Sequence, residues 1–207
     1  MSADGRAWLG VAALLGCCAL LGWPVAHSTI DWQPSLAFSE PWRAWSAIGV
    51  HYSAQHLIAN LAGVLLAGAF GWAARVPARL AWAWMAAWPL THLGLLAKPE
   101  LTHYGGLSGV LHAGVAAIAA SLLITGTRAQ RWVGAAVVAG LCAKLWSESP
   151  WGAALRYPPG WDIAVAPMAH LTGSIAGLAC AVVASMLLPP LTSKRPTSKR
   201  PTSNASL

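Results

Sequence analysis

The sequence predicts an all-α, polytopic membrane protein, and two observations carry this prediction. Of the 207 residues, 57% are hydrophobic and only 9% are charged, whereas soluble domains carry about 25% charged residues. The apolar residues fall in six blocks of near-spanning length: residues 8–23, 57–74, 80–97, 109–124, 132–146 and 163–188. Because a spanning helix needs about 20 apolar residues, we predict a six-helix membrane domain over residues 1–188. The shorter blocks, with their Trp-rich edges, fit tilted helices.

The basic residues predict the orientation of these helices. Basic residues precede the first block, follow the sixth, and lie between the second and third blocks and between the fourth and fifth. These positions all fall on one side of the predicted bundle: Arg6, Arg75, Arg79, Arg128, Arg131, Lys194, Arg195, Lys199 and Arg200. Connections rich in Lys and Arg stay in the cytoplasm. Both termini are therefore predicted to be cytoplasmic. The net charge of +7 indicates topology rather than a nucleic-acid surface.

The first block admits a second interpretation. Its basic start, short apolar core and the small residues beyond Pro24 are also the pattern of a secretory signal peptide. Removing it would leave five spans and place the C-terminus outside, unless the orientation also flipped. The basic tail disfavours this interpretation.

Two segments lie between or beyond the blocks. The outer loop at 24–55 contains Trp32, Trp42, Trp45 and Tyr52, which is typical of a segment that lies in the membrane interface. Residues 189–207 repeat Thr-Ser-Lys-Arg-Pro. This composition predicts a disordered, basic, cytoplasmic tail.

A serine between glycines at the start of the fourth block is the first candidate functional residue. Residues 105–112 read Gly-Gly-Leu-Ser-Gly-Val-Leu-His. Gly106 and Gly109 allow the backbone to turn tightly and to approach a substrate. Backbone N–H groups at a helix N-terminus can also stabilise an oxyanion. The pattern favours Ser108 as a nucleophile.

His170 is the candidate base, and it lies on the same predicted outer side as Ser108. Residues 170, 173 and 177 share one helical face, on which Gly173 and Gly177 permit close helix packing. Close packing of the fourth and sixth helices would bring the imidazole within reach of the hydroxyl. The competing interpretation is a packing pair of glycines beside an interfacial histidine.

Further polar residues lie one helical turn apart. His56 and Asn60 face the same way, and both can donate to an oxyanion; the plainer interpretation is that they satisfy each other or a helix end. His112, one turn after Ser108, is placed to stack on the base or bond near it. The spacing positions no acidic residue as a third triad member, and Asp162 is expected to be solvated in the outer loop.

Together these residues resemble the rhomboid family of intramembrane serine proteases. Residues 41–43 (Pro-Trp-Arg) are similar to the family's Trp-Arg element in its first loop, and residues 56–60 to the His-x-x-x-Asn motif of its second helix. Residues 106–109 match its Gly-x-Ser-Gly motif, and residues 169–177 match Ala-His-x-x-Gly-x-x-x-Gly. His112, where many rhomboids have an aromatic residue such as Tyr, resembles the short, bacterial rhombosortase branch. Ala113 departs from the glycine expected next in that branch.

The resemblance implies an endopeptidase of the bacterial inner membrane with its active site toward the periplasm. It implies a catalytic dyad of Ser108 and His170, with the oxyanion held by His56, Asn60 and a backbone N–H group. It implies no cofactor and no metal. The implied partners are membrane-anchored proteins that carry a C-terminal Gly-Gly motif, a single span and a basic end, with no nucleic acid.

The sequence leaves three alternative functions open. One is a rhomboid protease with a different transmembrane substrate. Another is a non-catalytic membrane-binding protein of the same fold, which the presence of both Ser108 and His170 disfavours. The third is a small transporter or metal-handling protein that uses the seven histidines, whose spacing matches no His-Glu-x-x-His motif. The four cysteines match no zinc or disulfide pattern, and we interpret them as packing residues.

Overall fold

The computed structural model describes residues 3–187, and this part of the chain is helical without β-strands. The predicted tail at 189–207 and Leu188 lie outside the described residues. The helices follow one another as α1 (Ala3–Gly22), α2 (His27–Ile30), α3 (Arg43–Ser46), α4 (Ala54–Ala73), α5 (Ala78–Leu93), α6 (Ser108–Thr125), α7 (Arg128–Glu148) and α8 (Pro167–Leu187). The six apolar blocks thus correspond to six long helices, and the outer loop contains the two short ones.

Four of the described helices are long and apolar enough to cross a membrane: Asp4–Gly22, Ala54–Ala73, Ser108–Thr125 and Pro167–Leu187. The helix α5 has only 16 residues and contains Pro89. The helix α7 has 21 residues but carries charged side chains at both ends. The structure therefore shows an all-helical protein with four candidate spans, and the count of six spans stays a prediction.

Two block boundaries differ from the sequence prediction. The third block ends in a 3-10 turn, Gly94–Ala97, rather than as α-helix. The sixth block begins as a loop, because the backbones of Arg156 and Val165 pair in an antiparallel bridge with N–O distances of 2.8 and 2.7 Å. The helix α8 therefore begins at Pro167, where a missing N–H group costs no helical hydrogen bond.

The helix α6 occupies the centre of the bundle, and most of its residues are buried. It packs most extensively against α8, and also against α4, α5 and α7. A methyl group at Gly173 or Gly177 would overlap the backbone carbonyls of Gly109 and Ala113, respectively. The predicted close approach of these two helices through a glycine pair is therefore confirmed.

Two tryptophans join α1 to the rest of the bundle. The Trp8 indole donates to the Ala67 carbonyl over 3.0 Å and stacks on Trp84, with ring centroids 4.5 Å apart. Trp84 in turn donates to the Val110 carbonyl over 2.7 Å. Because each indole N–H is satisfied inside an apolar core, these residues link α1, α4, α5 and α6 at low energetic cost.

The outer loop is built around Arg43. Its guanidinium donates to the Asp31 carbonyl over 2.9 Å and forms ion pairs with Asp31 and Glu40. Trp32 pairs through its backbone with Tyr104 and is fully buried. The other three aromatic residues of the predicted interfacial set, Trp42, Trp45 and Tyr52, remain between 40% and 47% exposed. Trp32 thus belongs to a small core beneath the loop, not to the interface.

The cysteines divide into two pairs. Cys18 and Cys180 pack against the core, as predicted, whereas Cys17 and Cys142 lie exposed on their helices. The packing interpretation is therefore wrong for Cys17 and Cys142, because both lie on the outer surface of the bundle.

Candidate active site

Ser108 is the first residue of α6 and follows a turn that contains Gly105 and Gly106. Gly106 has a φ of 134°, a conformation that residues with a side chain rarely adopt. Its N–H group donates to the Ala47 carbonyl over 3.0 Å. A methyl group at Gly105 would overlap Val50. The turn is therefore held against the outer loop, and the α6 N-terminus faces the cavity described below.

The structure brings Ser108 and His170 together. The Oγ atom of Ser108 lies 2.9 Å from Nε2 of His170, which is hydrogen-bonding distance. His170 is only 5% exposed and belongs to the first turn of α8. The proximity predicted from the glycine faces is thus present, although the two residues are 62 positions apart in sequence.

Glu148 stands behind His170, and the sequence prediction of no third acidic group is wrong. Its Oε2 atom accepts a hydrogen bond from Nδ1 of His170 over 2.7 Å. Glu148 is the last residue of α7, 22 positions before His170. No short motif joins the two residues, so only the packing of α7 beside α8 reveals the contact.

The end of α7 is held in a defined conformation. Ser149 adopts the left-handed conformation, with a φ of 48°. The Arg156 guanidinium donates to the Glu148 carbonyl over 2.7 Å and to the Ser147 carbonyl over 3.3 Å. These bonds satisfy carbonyls that a helix C-terminus leaves unpaired. Lys144, one turn earlier, pairs with the other Glu148 oxygen, Oε1.

His112 stacks on His170, as one of its predicted roles requires. The ring centroids are 4.2 Å apart, and the planes are inclined by 15°. Its Nδ1 atom donates to the Ser108 carbonyl over 2.7 Å. The His112 ring is thereby held parallel to the His170 ring, on the same helix as the serine.

His56 and Asn60 lie on α4 beside the glycine turn, and both are buried. A methyl group at Gly106 would lie 2.9 Å from Nε2 of His56 and 4.0 Å from Nδ2 of Asn60. Neither His56 Nδ1 nor Asn60 Nδ2 has a hydrogen-bond partner within residues 3–187. The Ser53 hydroxyl, not these side chains, caps the start of α4. The two residues are therefore not explained as a helix cap.

His51, in the loop before α4, packs against His56 with ring centroids 4.8 Å apart. Burial lowers the pKa of His51 to about 4, although a hydrogen bond to the Gly49 carbonyl acts in the opposite direction. His51 is therefore neutral at neutral pH and places no positive charge beside His56.

A cavity of about 1310 Å³ contains these groups, including Ser108, His170, His56 and Asn60. One wall is α4, from His56 to Phe70, and another is formed by Leu141, Lys144 and Glu148 of α7. The ten residues from Asn60, beside Gly106, to Phe70 span about 15 Å of helix, so the cavity extends along α4 well below the level of Ser108.

The loop between α7 and α8 covers the cavity and is attached to the start of α4. Asp162 accepts a hydrogen bond from Ser53 over 2.7 Å, and Gln55 donates to the Gly160 carbonyl over 2.9 Å. Asp162 is exposed, as expected. Within residues 3–187, no three His, Cys, Asp or Glu side chains converge as a metal site requires.

Comparison with protein families and with curated proteins finds no match to this chain. The chemical interpretation therefore depends on the geometry above and on the four motif resemblances in the sequence.

Proposed function

We propose that this protein is an intramembrane serine endopeptidase in which Ser108 is the nucleophile and His170 is the general base. The 2.9 Å contact between Ser108 Oγ and His170 Nε2, at one end of an apolar bundle, carries the proposal. A weakly nucleophilic hydroxyl needs an adjacent base of this kind to attack a peptide bond. The motif resemblance to rhomboid proteases supports the same assignment.

The proposed reaction proceeds in two stages. As Ser108 Oγ attacks the scissile carbonyl carbon, its proton passes to His170 Nε2. His170 then gives that proton to the leaving amine, the C–N bond breaks, and an acyl-enzyme remains. Water attacks the ester with His170 again acting as base, which releases the new carboxyl end and frees Ser108.

The oxyanion of the tetrahedral intermediate is proposed to bind His56, Asn60 and the Ser108 N–H group. The unpaired Asn60 amide and the position of both α4 side chains beside Gly106 support this role. Preorganised donors that are aimed at developing charge stabilise it strongly.

The proposed orientation places the Ser108 end of the bundle toward the periplasm of a bacterial inner membrane. Arg75 follows α4, and Arg79, Arg128 and Arg131 lie in the first turns of α5 and α7, at the end of the bundle away from Ser108. Basic residues near such short connections stay in the cytoplasm. Six spans, with both termini cytoplasmic, complete this proposed topology.

The proposed substrates are membrane-anchored proteins with a C-terminal Gly-Gly motif and a single span. A membrane helix hides its peptide groups in hydrogen bonds, so cleavage requires local unwinding. Glycine lowers helix stability by about 1 kcal/mol per residue, which eases that unwinding. The rhombosortase-like residues at 106–112 support this choice over other transmembrane substrates.

The proposal is tested with a reporter protein that ends in Gly-Gly, a single span and basic residues. Co-expression with the intact protein should release the reporter, whereas Ser108→Ala and His170→Ala should not. Ser121→Ala is the matched control, because Ser121 is buried on the same helix but lies outside the cavity.

Processing by Ser108→Ala at the intact rate would exclude the serine-protease mechanism. Equal processing of a second reporter, with Leu-Leu in place of Gly-Gly, would instead favour a protease with broader transmembrane substrates. The Ser108→Ala result tests the catalytic mechanism, and the Leu-Leu reporter tests the substrate specificity.

A further inference from the structure

The catalytic pair is the end of a longer chain of polar contacts. Lys144 pairs with Oε1 of Glu148, and Oε2 of Glu148 accepts from Nδ1 of His170. Nε2 of His170 in turn lies 2.9 Å from the Ser108 hydroxyl. Each of the two carboxylate oxygens therefore has a different partner, and the side chain is only 21% exposed.

This arrangement determines which nitrogen of His170 carries the proton. A neutral imidazole has one N–H donor and one acceptor nitrogen. Glu148, as a carboxylate, can only accept, so the proton lies on Nδ1. Nε2 is then unprotonated and faces the Ser108 hydroxyl, which is the form that a general base requires.

The other groups around His170 do not replace Glu148 in this role. His112 lies face to face with the ring, and its own Nδ1 already donates to the Ser108 carbonyl. The Lys144 ammonium on α7 has no acceptor atom and pairs with Oε1 of Glu148, so it cannot accept from Nδ1 of His170. Among the groups that the structure places around His170, Glu148 is the acceptor bonded to Nδ1.

We propose that Glu148 is a positioning residue, which sets the tautomer and orientation of His170 and makes the site a Ser-His-Glu triad. This inference rests on the proposed function, because it assigns Glu148 to the same reaction. The carboxylate also stabilises the imidazolium that forms while His170 holds the Ser108 proton. The backbone supports the role, since Arg156 binds the carbonyls at the end of α7.

The test measures the activation of Ser108 without any protein substrate. The purified full-length protein is treated with a fluorophosphonate probe, and the second-order labelling rate is recorded. In that reaction the Ser108 Oγ–P bond forms, the P–F bond breaks and fluoride leaves, while the hydroxyl proton passes to His170. Ser108→Ala identifies the labelled residue.

Glu148→Gln should lower the labelling rate at least about 100-fold, because an amide can donate to Nδ1 and stabilise the wrong tautomer. Glu148→Asp, which keeps the carboxylate, should be labelled faster than Glu148→Gln. The matched control is Glu100→Gln, which removes an exposed carboxylate that pairs with Lys98 and lies outside the cavity. It should be labelled at the intact rate.

Chemical rescue separates positioning from a structural contact between α7 and α8. Glu148→Ala leaves a gap in the wall of an open cavity, and added formate should restore part of the labelling, while chloride at equal ionic strength should not. A labelling rate for Glu148→Gln within twofold of the intact protein would overturn the inference. So would a slow Glu148→Ala that formate does not accelerate.

Failure of the inference is distinguishable from failure of the proposed function. If the intact protein is not labelled at Ser108, the serine-protease mechanism fails and the triad fails with it. If the intact protein is labelled and Glu148→Gln is labelled equally well, the protease proposal stands with a dyad of Ser108 and His170.

Discussion

Two buried polar side chains beside the Ser108 turn, those of His56 and Asn60, each contain a nitrogen atom without a hydrogen-bond partner within residues 3–187. Asn60 Nδ2 is buried, bonds to nothing within residues 3–187, and lies on the side of α4 that faces Gly106. Leaving a buried donor unpaired costs roughly 1–3 kcal/mol. Such a cost at the edge of a cavity is understandable if the donor is reserved for a charge that forms during a reaction.

At this scale, Asn60→Ala is expected to lower kcat by about 10²–10³-fold with little change in KM, because the lost bond forms to the oxyanion and not to the bound peptide. Rates of reporter processing at several substrate concentrations give kcat and KM separately. The thermal midpoint should not fall, since the variant removes an unpaired donor. A rise in KM at constant kcat would assign Asn60 to substrate binding instead.

At the scale of elements, the site depends on how closely two helices approach. The first turns of α6 and α8 carry Ser108 and His170, and the glycines of α8 bring its backbone against the carbonyls of α6. Small residues allow this contact in a membrane, where packing rather than the hydrophobic effect joins helices. The distance between Ser108 and His170 is therefore set by glycines that do not contact either side chain's polar atoms.

Gly173→Ala should push the two helices apart, destabilise the protein by about 1–3 kcal/mol, and reduce fluorophosphonate labelling of Ser108. Thermal unfolding in detergent and the labelling rate measure the two effects. Gly140→Ala on α7 is the matched control, because a methyl group there meets no atom within 4 Å. Its stability should be unchanged or slightly higher. Equal behaviour of both variants would contradict the packing account.

At the scale of the whole molecule, the arginines near the α4–α5 and α6–α7 connections lie at the opposite end of the bundle from the cavity. Arg128 and Arg131 lie in the first turn of α7, next to the short α6–α7 connection, whereas the loop that covers the cavity lies between α7 and α8. Since α7 separates these two connections, a spanning α7 would place them on opposite sides of the membrane. The same observation would decide whether α7 spans the membrane in addition to the four candidate helices.

The orientation is tested in a variant without native cysteines. A cysteine at Tyr157, which is 80% exposed in the covering loop, should react with an impermeant maleimide on intact spheroplasts. A cysteine at Ala129, at the start of α7, should react only after lysis. Labelling of both positions before lysis would contradict the proposed topology.

The amino-acid sequence alone predicts the all-helical membrane class, the approximate position of each long helix, and the candidates Ser108, His170, His56 and Asn60. These follow from local information: runs of apolar residues, charges in short connections, and motifs whose members are one turn apart. The glycine face of α8 even indicated its partner helix.

How the helices and candidate side chains meet depends on the tertiary packing. Glu148 and His170 lie on different helices, 22 positions apart, and no spacing rule relates Glu148 or Arg156 to Ser108. Likewise, burial of Trp32 depends on pairing with Tyr104, 72 residues away. Periodicity and composition describe neighbours along the chain, whereas a charge placed behind a histidine depends on the packing of separate helices.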